Sequence, residues 1–475
     1  MNHSYYLLVP LVLPLAAAAL LQYPFSKPTR RSIMNASLAL ETVFTLLAFA
    51  LHSNVTLLAM PPAAVTLGSD HISKLFSALF AVLFCAFGTG KGDSRPTSFQ
   101  AAHCLVSLSL LIGLCYAGNL FTFMLFFLLL AALLLLEPKP GHAGHNEQSG
   151  WRTRLLPAAI LLTVLLTAAG SVLFALGVPS TAFANGGLLK VADRLKPVLQ
   201  LAAGLLLSGF LGWMVLLPPA ACFRAQPRLP LVAGIMPCAG ALGMLRVMYY
   251  LFGSRFFRSS AICTALLIAV VVLAAAAGIA ACRAKRLELR LALVSVTQSG
   301  CAAMGLLLLH RTALWGAVLQ LCAQPAAMLC LLLCAAAFRN DAGRSTLPQL
   351  RGMGRQAPLL WGEFTAATLA LTGLPPFFSC NALYYLVLGG WQTAAPWNWL
   401  CSAVALLSCV CPLVSLGPVV IRGIWPGKAF TPDARLYPDH RLLLSVGGLL
   451  AGMAVFGLYA APLLQLVRSA AISIL

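Results

Sequence analysis

The chain has 475 residues, of which 60% are hydrophobic and 9% charged, and its mean hydropathy is +0.91. Soluble domains carry about 25% charged residues, so this chain has too little charge to wet a globular surface, and a soluble enzyme is excluded. A net charge of +20, from 31 Lys and Arg against 11 Asp and Glu, would point to nucleic acid in a soluble protein. In a chain this apolar, the first question is where along the sequence those charges fall.

Apolar segments bounded by charge or by Pro and Gly clusters run, in chain order, over 6–23, 33–51, 71–88, 99–117, 119–136, 155–177, 197–217, 229–252, 259–281, 291–309, 313–337, 358–393, 399–421 and 442–467. At about 20 residues per crossing, these segments predict an all-α polytopic membrane protein of about 14 transmembrane helices. It forms a single transmembrane domain over 1–475, with half-repeats at about 99–252 and 259–421 and flanking helices at both ends. No alternating strand pattern recurs, which argues against a β-barrel. The start of the chain, Asn2 and His3 before Tyr5, lacks the basic region of a signal peptide, so its first apolar run reads as a retained span.

The basic residues test the topology. Every second connection, beginning with 24–32, together holds 22 of the 31 Lys and Arg. That phase holds along the whole chain, as the positive-inside rule requires, and places both termini outside the cytoplasm of an inner cell membrane. Only Arg246 lies well within a span.

Two segments carry helix breakers. The 358–393 segment is long for one crossing and contains Gly373-Leu374-Pro375-Pro376. The 197–230 region contains Pro218-Pro219 and then Pro227 and Pro230. Proline removes a backbone donor, so interrupted helices are expected near 197–230, at Pro218, and near 358–393, at Gly373, Pro375 and Pro376. Unwound backbone at membrane depth survives only when packed in protein or lining a wet cavity, and such breaks often mark ion pathways.

Chemistry-bearing motifs are few. The fifteen cysteines form no CxxC pair, and most sit in apolar runs, where a thiol behaves as a small hydrophobe. His142 and His145, in a Gly- and Pro-rich loop, are weak as a metal motif. There is no phosphate-binding or dinucleotide fingerprint and no iron–sulfur spacing, so no cofactor and no metal are expected. Redox chemistry, if present, belongs to partner subunits.

Four stretches carry a resemblance: Leu216-Leu217-Pro218 through Leu245-Arg246, Leu291 to Gly300, Gly316 to Gln320, and Gly373-Leu374-Pro375-Pro376. Together they are similar to the Mrp-antiporter-like membrane subunits, a family that includes the proton-translocating subunits of respiratory complex I, Mrp cation/proton antiporters and membrane-bound energy-converting hydrogenases. The resemblance implies a fourteen-span fold, interrupted helices at spans seven and twelve, and a proton channel of buried charges along a central axis. It also implies packing against other integral membrane subunits within the lipid bilayer, protons or cations as the transported species, and no nucleic acid.

Carried over residue by residue, however, the relay is neutral. The family's span-five glutamate falls on Leu128, its span-seven lysine on Leu207 and its span-eight lysine on Cys238. The later histidine falls on Gln324, a lysine four residues on falls on Met328, and the span-twelve charge falls on Leu383. Leu and Met cannot exchange a proton, and an amide does not titrate.

The polar residues left for a residual pathway are Glu41, Glu363, Arg246, Ser295 and Gln298. Glu41 reads as an interface or hydrogen-bonded core group rather than an ionised one, because a lone buried carboxylate is costly. Glu363 reads as reaching water near its helix end, and Arg246 as an ion pair or a snorkelling side chain. Ser295 and Gln298 either hold channel water or join helices by polar packing. The expected function is an antiporter-like subunit with a structural or weakly conducting role and no catalytic residue of its own. The alternatives are an active antiporter subunit working through Glu41 and Glu363, and a solute transporter that shares only the helical architecture.

Overall fold

The protein's structure, a computed structural model, describes residues 3–50, 54–58, 64–90, 97–136, 151–178, 181–184, 186–187, 195–222, 229–258, 260–343, 346–394, 397–426 and 438–474. The loop carrying His142 and His145 lies outside them. Each predicted apolar segment holds helix, in the order α1 (Val9–Leu20), α2 (Lys27–Leu47), α3 (His71–Gly90), α4 (Ser98–Tyr116), α5 (Leu120–Leu135), α6 (Trp151–Gly177), α7 (Lys196–Cys222), α8 (Pro237–Leu245), α9 (Ser254–Arg258), α10 (Ala261–Arg283), α11 (Leu287–Leu307) and α12 (Arg311–Ala342). After the short α13 (Met353–Gln356) come α14 (Pro358–Thr372), α15 (Ser379–Trp391), α16 (Trp397–Ile424), α17 (His440–Leu458) and α18 (Ala461–Ile474). A short antiparallel hairpin, β1 (Asn54–Leu58) with β2 (Val65–Gly68), joins α2 to α3.

Among the described residues, ten helices are long and apolar enough to cross a membrane by themselves. Two more of the predicted segments are shorter apolar helices, Tyr6–Leu20 and Leu120–Leu135. The 33–51 segment belongs to α2, whose first turns carry Lys27, Arg30 and Arg31, and 358–393 is split between α14 and α15. Ten, rather than about fourteen, is therefore the number that length and apolarity support alone. The segment read as 442–467 is also two helices, since α17 ends at Leu458 and α18 starts at Ala461. The guanidinium of Arg468 on α18 stacks 4.8 Å above the Trp315 ring of α12, so the last helix is turned back onto the bundle.

Burial sorts the helices into layers. The 230–251 region, α11 and α12 are buried almost throughout, whereas α6, α10 and α17 keep most of their surface outside. Apolar surface left uncovered on those outer helices, such as Leu165, Val272 and Leu444, suits contact with lipid. Small residues set the close contacts, as is common where lipid offers no hydrophobic drive for helix association. A Cβ at Gly240 would lie 2.5 Å from the carbonyl oxygen of Phe210. Gly240 therefore lets α8 rest directly on the α7 backbone.

The two expected breaks come out differently. The 358–393 break is present: α14 stops at Thr372, Gly373 takes a φ of +78°, and α15 restarts at Ser379. The break at Pro218 is not present, because α7 runs through Pro218 and Pro219 to Cys222. Pro218 and Pro219 leave the Met214 and Val215 carbonyls without their helical donors, a local loss that does not stop α7, which runs about one turn further. The departure from α geometry lies further on, in π-helical turns at Pro230–Ile235 and Arg246–Leu251 on either side of α8.

Gly373 tests the real break. A Cβ there would come 2.1 Å from Leu383 Cδ1 in a left-handed conformation. Gly373→Ala is expected to destabilise the protein by about 1–3 kcal/mol. Gly362→Ala, in the same helix with no atom within 4 Å of the new methyl, is expected to leave stability unchanged or raise it by up to about 1 kcal/mol. Thermal unfolding of the two variants side by side distinguishes them.

Candidate functional site

The buried polar groups gather in two places, each built on backbone that the helices leave unsatisfied. The first lies between α11, α12, α14 and α16. Helix α14 ends at Gly373, so its last carbonyls have no following N–H to accept from. In α16, Pro412 has no N–H to give to the carbonyl of Ser408 four residues earlier. Gln298 answers both: its Nε2 donates to the Leu371 carbonyl at 3.1 Å and to the Ser408 carbonyl at 2.7 Å. Its Oε1 accepts from Gln320 Nε2 at 2.6 Å. One turn along α12, Gln324 Nε2 donates to Ser299 Oγ at 2.7 Å, to Ser295 Oγ at 3.2 Å and to the Ser295 carbonyl at 3.1 Å.

Cys238 follows the same logic. Pro325 cannot donate to the Leu321 carbonyl, and the Cys238 thiol points at that oxygen from 3.9 Å. Ser295, Gln298 and Gln324, separate candidates in the sequence, thus line one α11–α12 contact in two adjacent hydrogen-bonded sets, Gln298 with Gln320 and Gln324 with Ser295 and Ser299, with Cys238 at their side. Gln320 is a member that sequence reasoning misses; a glutamine one turn before another, in an otherwise apolar helix, is the signal that could have found it. Leu207 and Met328 are fully buried apolar contacts, and Leu383 packs against Gly373.

Leu128 does not join this axis. It is 39% exposed and lines an apolar groove of about 630 Å³ between α5 and α6, with Leu125 and Val172. The inward residue is its neighbour Phe127, whose ring lies 4.7 Å from Trp213 and 5.3 Å from Phe210. One residue along a helix is a rotation of about 100°, enough to carry Leu128 from the interior to the rim.

The second place is a buried ion pair. Arg246 is 3% exposed and reaches Asp70, just before α3, through Nη1–Oδ2 at 2.8 Å and Nη2–Oδ1 at 3.1 Å. Its Nη2 also donates to Ser73 Oγ at 2.7 Å and to the Cys115 carbonyl at 2.9 Å. The Tyr250 and Phe183 rings cover the guanidinium at 4.5 and 5.5 Å. Burial alone pushes the Asp70 carboxyl up; the Arg246 charge and hydrogen bonds from Ser73, Tyr250 and Arg246 outweigh it and hold the group at about 2. Of the two readings open for Arg246, the ion pair is the observed one. Its partner escapes sequence reasoning because an acid at a span end looks solvated.

The remaining carboxyls lie off both clusters. Glu41 is fully buried on α2, and neither of its oxygens has a hydrogen-bond partner among the described residues. Glu363 is half-buried rather than extended into water; its Oε2 is enclosed without a partner among the described residues, and its Oε1 faces Gly447 of α17. At the end of the bundle where α11 begins, Glu288 pairs with Arg339 and Arg286. Arg290 there donates to the Cys282 and Ala284 carbonyls that close α10.

Comparison with known proteins agrees with this architecture. The chain is 27% identical over 421 residues to NADH-quinone oxidoreductase subunit N of Desulforudis audaxviator (strain MP104C), covering 81% of this chain and 79% of that one. It is 25% identical over 170 residues to a Na(+)/H(+) antiporter subunit of Alkalihalophilus pseudofirmus, covering 36% and 34%. In fold it is similar to a chain of the membrane-bound sulfane sulfur reductase, an archaeal respiratory membrane complex, with a TM-score of 0.81, 20% identity and coverage of 99% and 98%. It is also similar to a chain of respiratory complex I from Thermus thermophilus, with a TM-score of 0.70, 21% identity and coverage of 98% and 99%. Residues 117–410, which contain α7 to α12, the split α14–α15 pair and the hydrogen-bonded glutamines, match the family described as NADH:quinone oxidoreductase/Mrp antiporter, transmembrane. The chain is therefore a multi-pass, antiporter-like membrane subunit belonging to that family.

Proposed function

We propose that this protein is an antiporter-like subunit of a complex I, energy-converting hydrogenase or Mrp-type assembly, seated against other integral membrane subunits, and that its central axis serves structure rather than proton transfer. It sits in the inner cell membrane, with its Arg-rich connections on the cytoplasmic side and both termini on the other.

One observation carries this reading. The groups at the centre are neutral amides, hydroxyls and a thiol, and both amide hydrogens of Gln298 are committed to carbonyls that Gly373 and Pro412 leave open. A proton relay needs groups that bind and release a proton at a usable pKa; here the polar side chains hold interrupted helices together. The test replaces Gln324 with Met in the intact assembly and measures protons moved per turnover in inverted vesicles. The expected stoichiometry is that of the unaltered assembly. Fewer protons per turnover, with the assembly still whole, would sink the proposal.

A second reading is favoured by the unpartnered carboxyl oxygens of Glu41 and Glu363: cation/proton antiport through those two groups. The double variant Glu41→Gln, Glu363→Gln decides it through collapse of a pH gradient in inverted vesicles. Unchanged transport dismisses that reading, and abolished transport establishes it.

A further inference from the structure

Helices α10 and α11 frame an open groove of about 550 Å³ on the outside of the bundle. Ala276, Ile279 and Ala280 of α10 form one wall, Leu289 and Leu293 of α11 form the other, and Arg283 lines one end. On α10 these positions follow each other at helical spacing, so they share one face. Val272, 59% exposed, extends that face toward the middle of the helix. The alanines leave the hollow, because their methyl groups stop short of the reach of the leucines opposite.

The length of α10 fixes the depth of this groove. The helix has 23 residues, about 35 Å at 1.5 Å each, close to the roughly 30 Å of a bilayer core. Arg283 is its last residue and therefore lies at headgroup depth, with the hollow just beneath it in hydrocarbon.

The charges at this end are unbalanced. The sequence from 283 to 290 carries Arg283, Lys285, Arg286 and Arg290 against one acid, Glu288. Glu288 is taken up by Arg339 and Arg286. Arg290 turns inward to the Cys282, Ala284 and Ser415 carbonyls. Arg283 and Lys285 are exposed, and among the described residues neither side chain has a hydrogen bond or an ion pair. Two uncompensated cations above an apolar hollow complement a ligand with an anionic head and a hydrocarbon tail.

We propose that this groove binds an anionic phospholipid, with an acyl chain against Ala276, Ala280 and Leu293 and the phosphate held by Arg283 and Lys285. The guanidinium offers paired N–H donors that match phosphate oxygens, and the ammonium adds a point charge. Basic pockets between membrane helices recognise anionic headgroups on the same grounds. A headgroup with its own ammonium gains less, because the acid beside it, Glu288, already has two partners. A partner helix fits less well. From Ala276 to Ala284 the groove is only about 12 Å tall, and a helix packed there would cover both cations. The site goes beyond the function proposed above, since lipid bound at the rim does not depend on what the central axis conducts.

The experiment reconstitutes the intact assembly in vesicles of phosphatidylcholine and phosphatidylglycerol. A trace of either lipid, carrying a photoreactive diazirine on its acyl chain, is added, and the cross-links are mapped by mass spectrometry. The phosphatidylglycerol probe is expected to label residues 276–284 and 289–293 about tenfold more than the phosphatidylcholine probe, because each basic side chain adds its own attraction. In the double variant Arg283→Gln, Lys285→Gln that excess is expected to vanish. Labelling by phosphatidylcholine is expected to stay, which shows that the groove itself is intact. Equal labelling by the two probes in the unaltered assembly would overturn the proposal, as would an excess that survives the double variant. Cross-links from neither probe would mean that a partner subunit covers this face, and would overturn it as well.

Discussion

Arg246→Ala is expected to lower the stability of the folded protein by about 3 kcal/mol. The substitution removes two bonds to Asp70, one to Ser73, one to the Cys115 carbonyl and two ring contacts at once. It also leaves the Asp70 carboxylate without its counter-charge, with Ser73 and Tyr250 as its remaining donors. Breaking a buried pair typically costs about 3–5 kcal/mol, and the low end applies because Asp70 keeps some contact with water. Adding Asp70→Asn to Arg246→Ala is expected to recover part of the loss, since the stranded charge is gone; thermal unfolding of the singles and the double gives the coupling.

Acid provides an independent check on the same pair. The folded Asp70 is held at about 2, below the unfolded value of about 3.9. Its contribution to stability is therefore fully present above about pH 4 and is lost as pH falls toward about 2. The unaltered protein is expected to lose stability across that window, and Arg246→Ala to lose much less. Equal acid sensitivity in the two would mean that the pair does not contribute as its geometry implies.

Gln298→Leu is the second large effect, expected at about 2–4 kcal/mol. Leucine matches the volume but returns no hydrogen bonds. The Leu371 and Ser408 carbonyls lose the donor that compensates for the end of α14 and for Pro412, and Gln320 loses its acceptor. Each buried polar group stranded in this way costs about 1–3 kcal/mol. Gln298→Glu separates hydrogen bonding from shape: a carboxylate cannot donate to either carbonyl, so it is expected to be at least as damaging as leucine despite its closer likeness. A Gln298→Glu protein as stable as the parent would show that the two carbonyls do not depend on this amide.

The interior chemistry explains why these two sites dominate. At an interface with lipid, apolar contact alone favours no particular helix arrangement, so packing and polar bonds choose among them. In this chain the choice rests on few groups, because only 9% of residues are charged and most bases are committed to the connections. An unsatisfied carbonyl in such an interior has no water to fall back on.

The amino-acid sequence alone determined the class, the positions of the helices and the break at Gly373. Those features rest on local quantities: apolar run length, the missing N–H of proline and the freedom of glycine. That the six positions read as relay sites hold Leu, Cys, Gln and Met is a statement about residue type, and needs no coordinates. Tertiary structure decided the rest, because it depends on which faces meet. Pro218 sits inside α7, which runs past it to Cys222, so a breaker in sequence broke nothing. Leu128 turned outward while Phe127 took the interior, a difference of one residue in helical phase. Arg246 found Asp70, 176 positions away, and Gln298 found two carbonyls, 73 and 110 positions away. No local pattern encodes such pairings, since the group that needs a donor and the group that supplies it lie on different helices and meet only when the bundle closes.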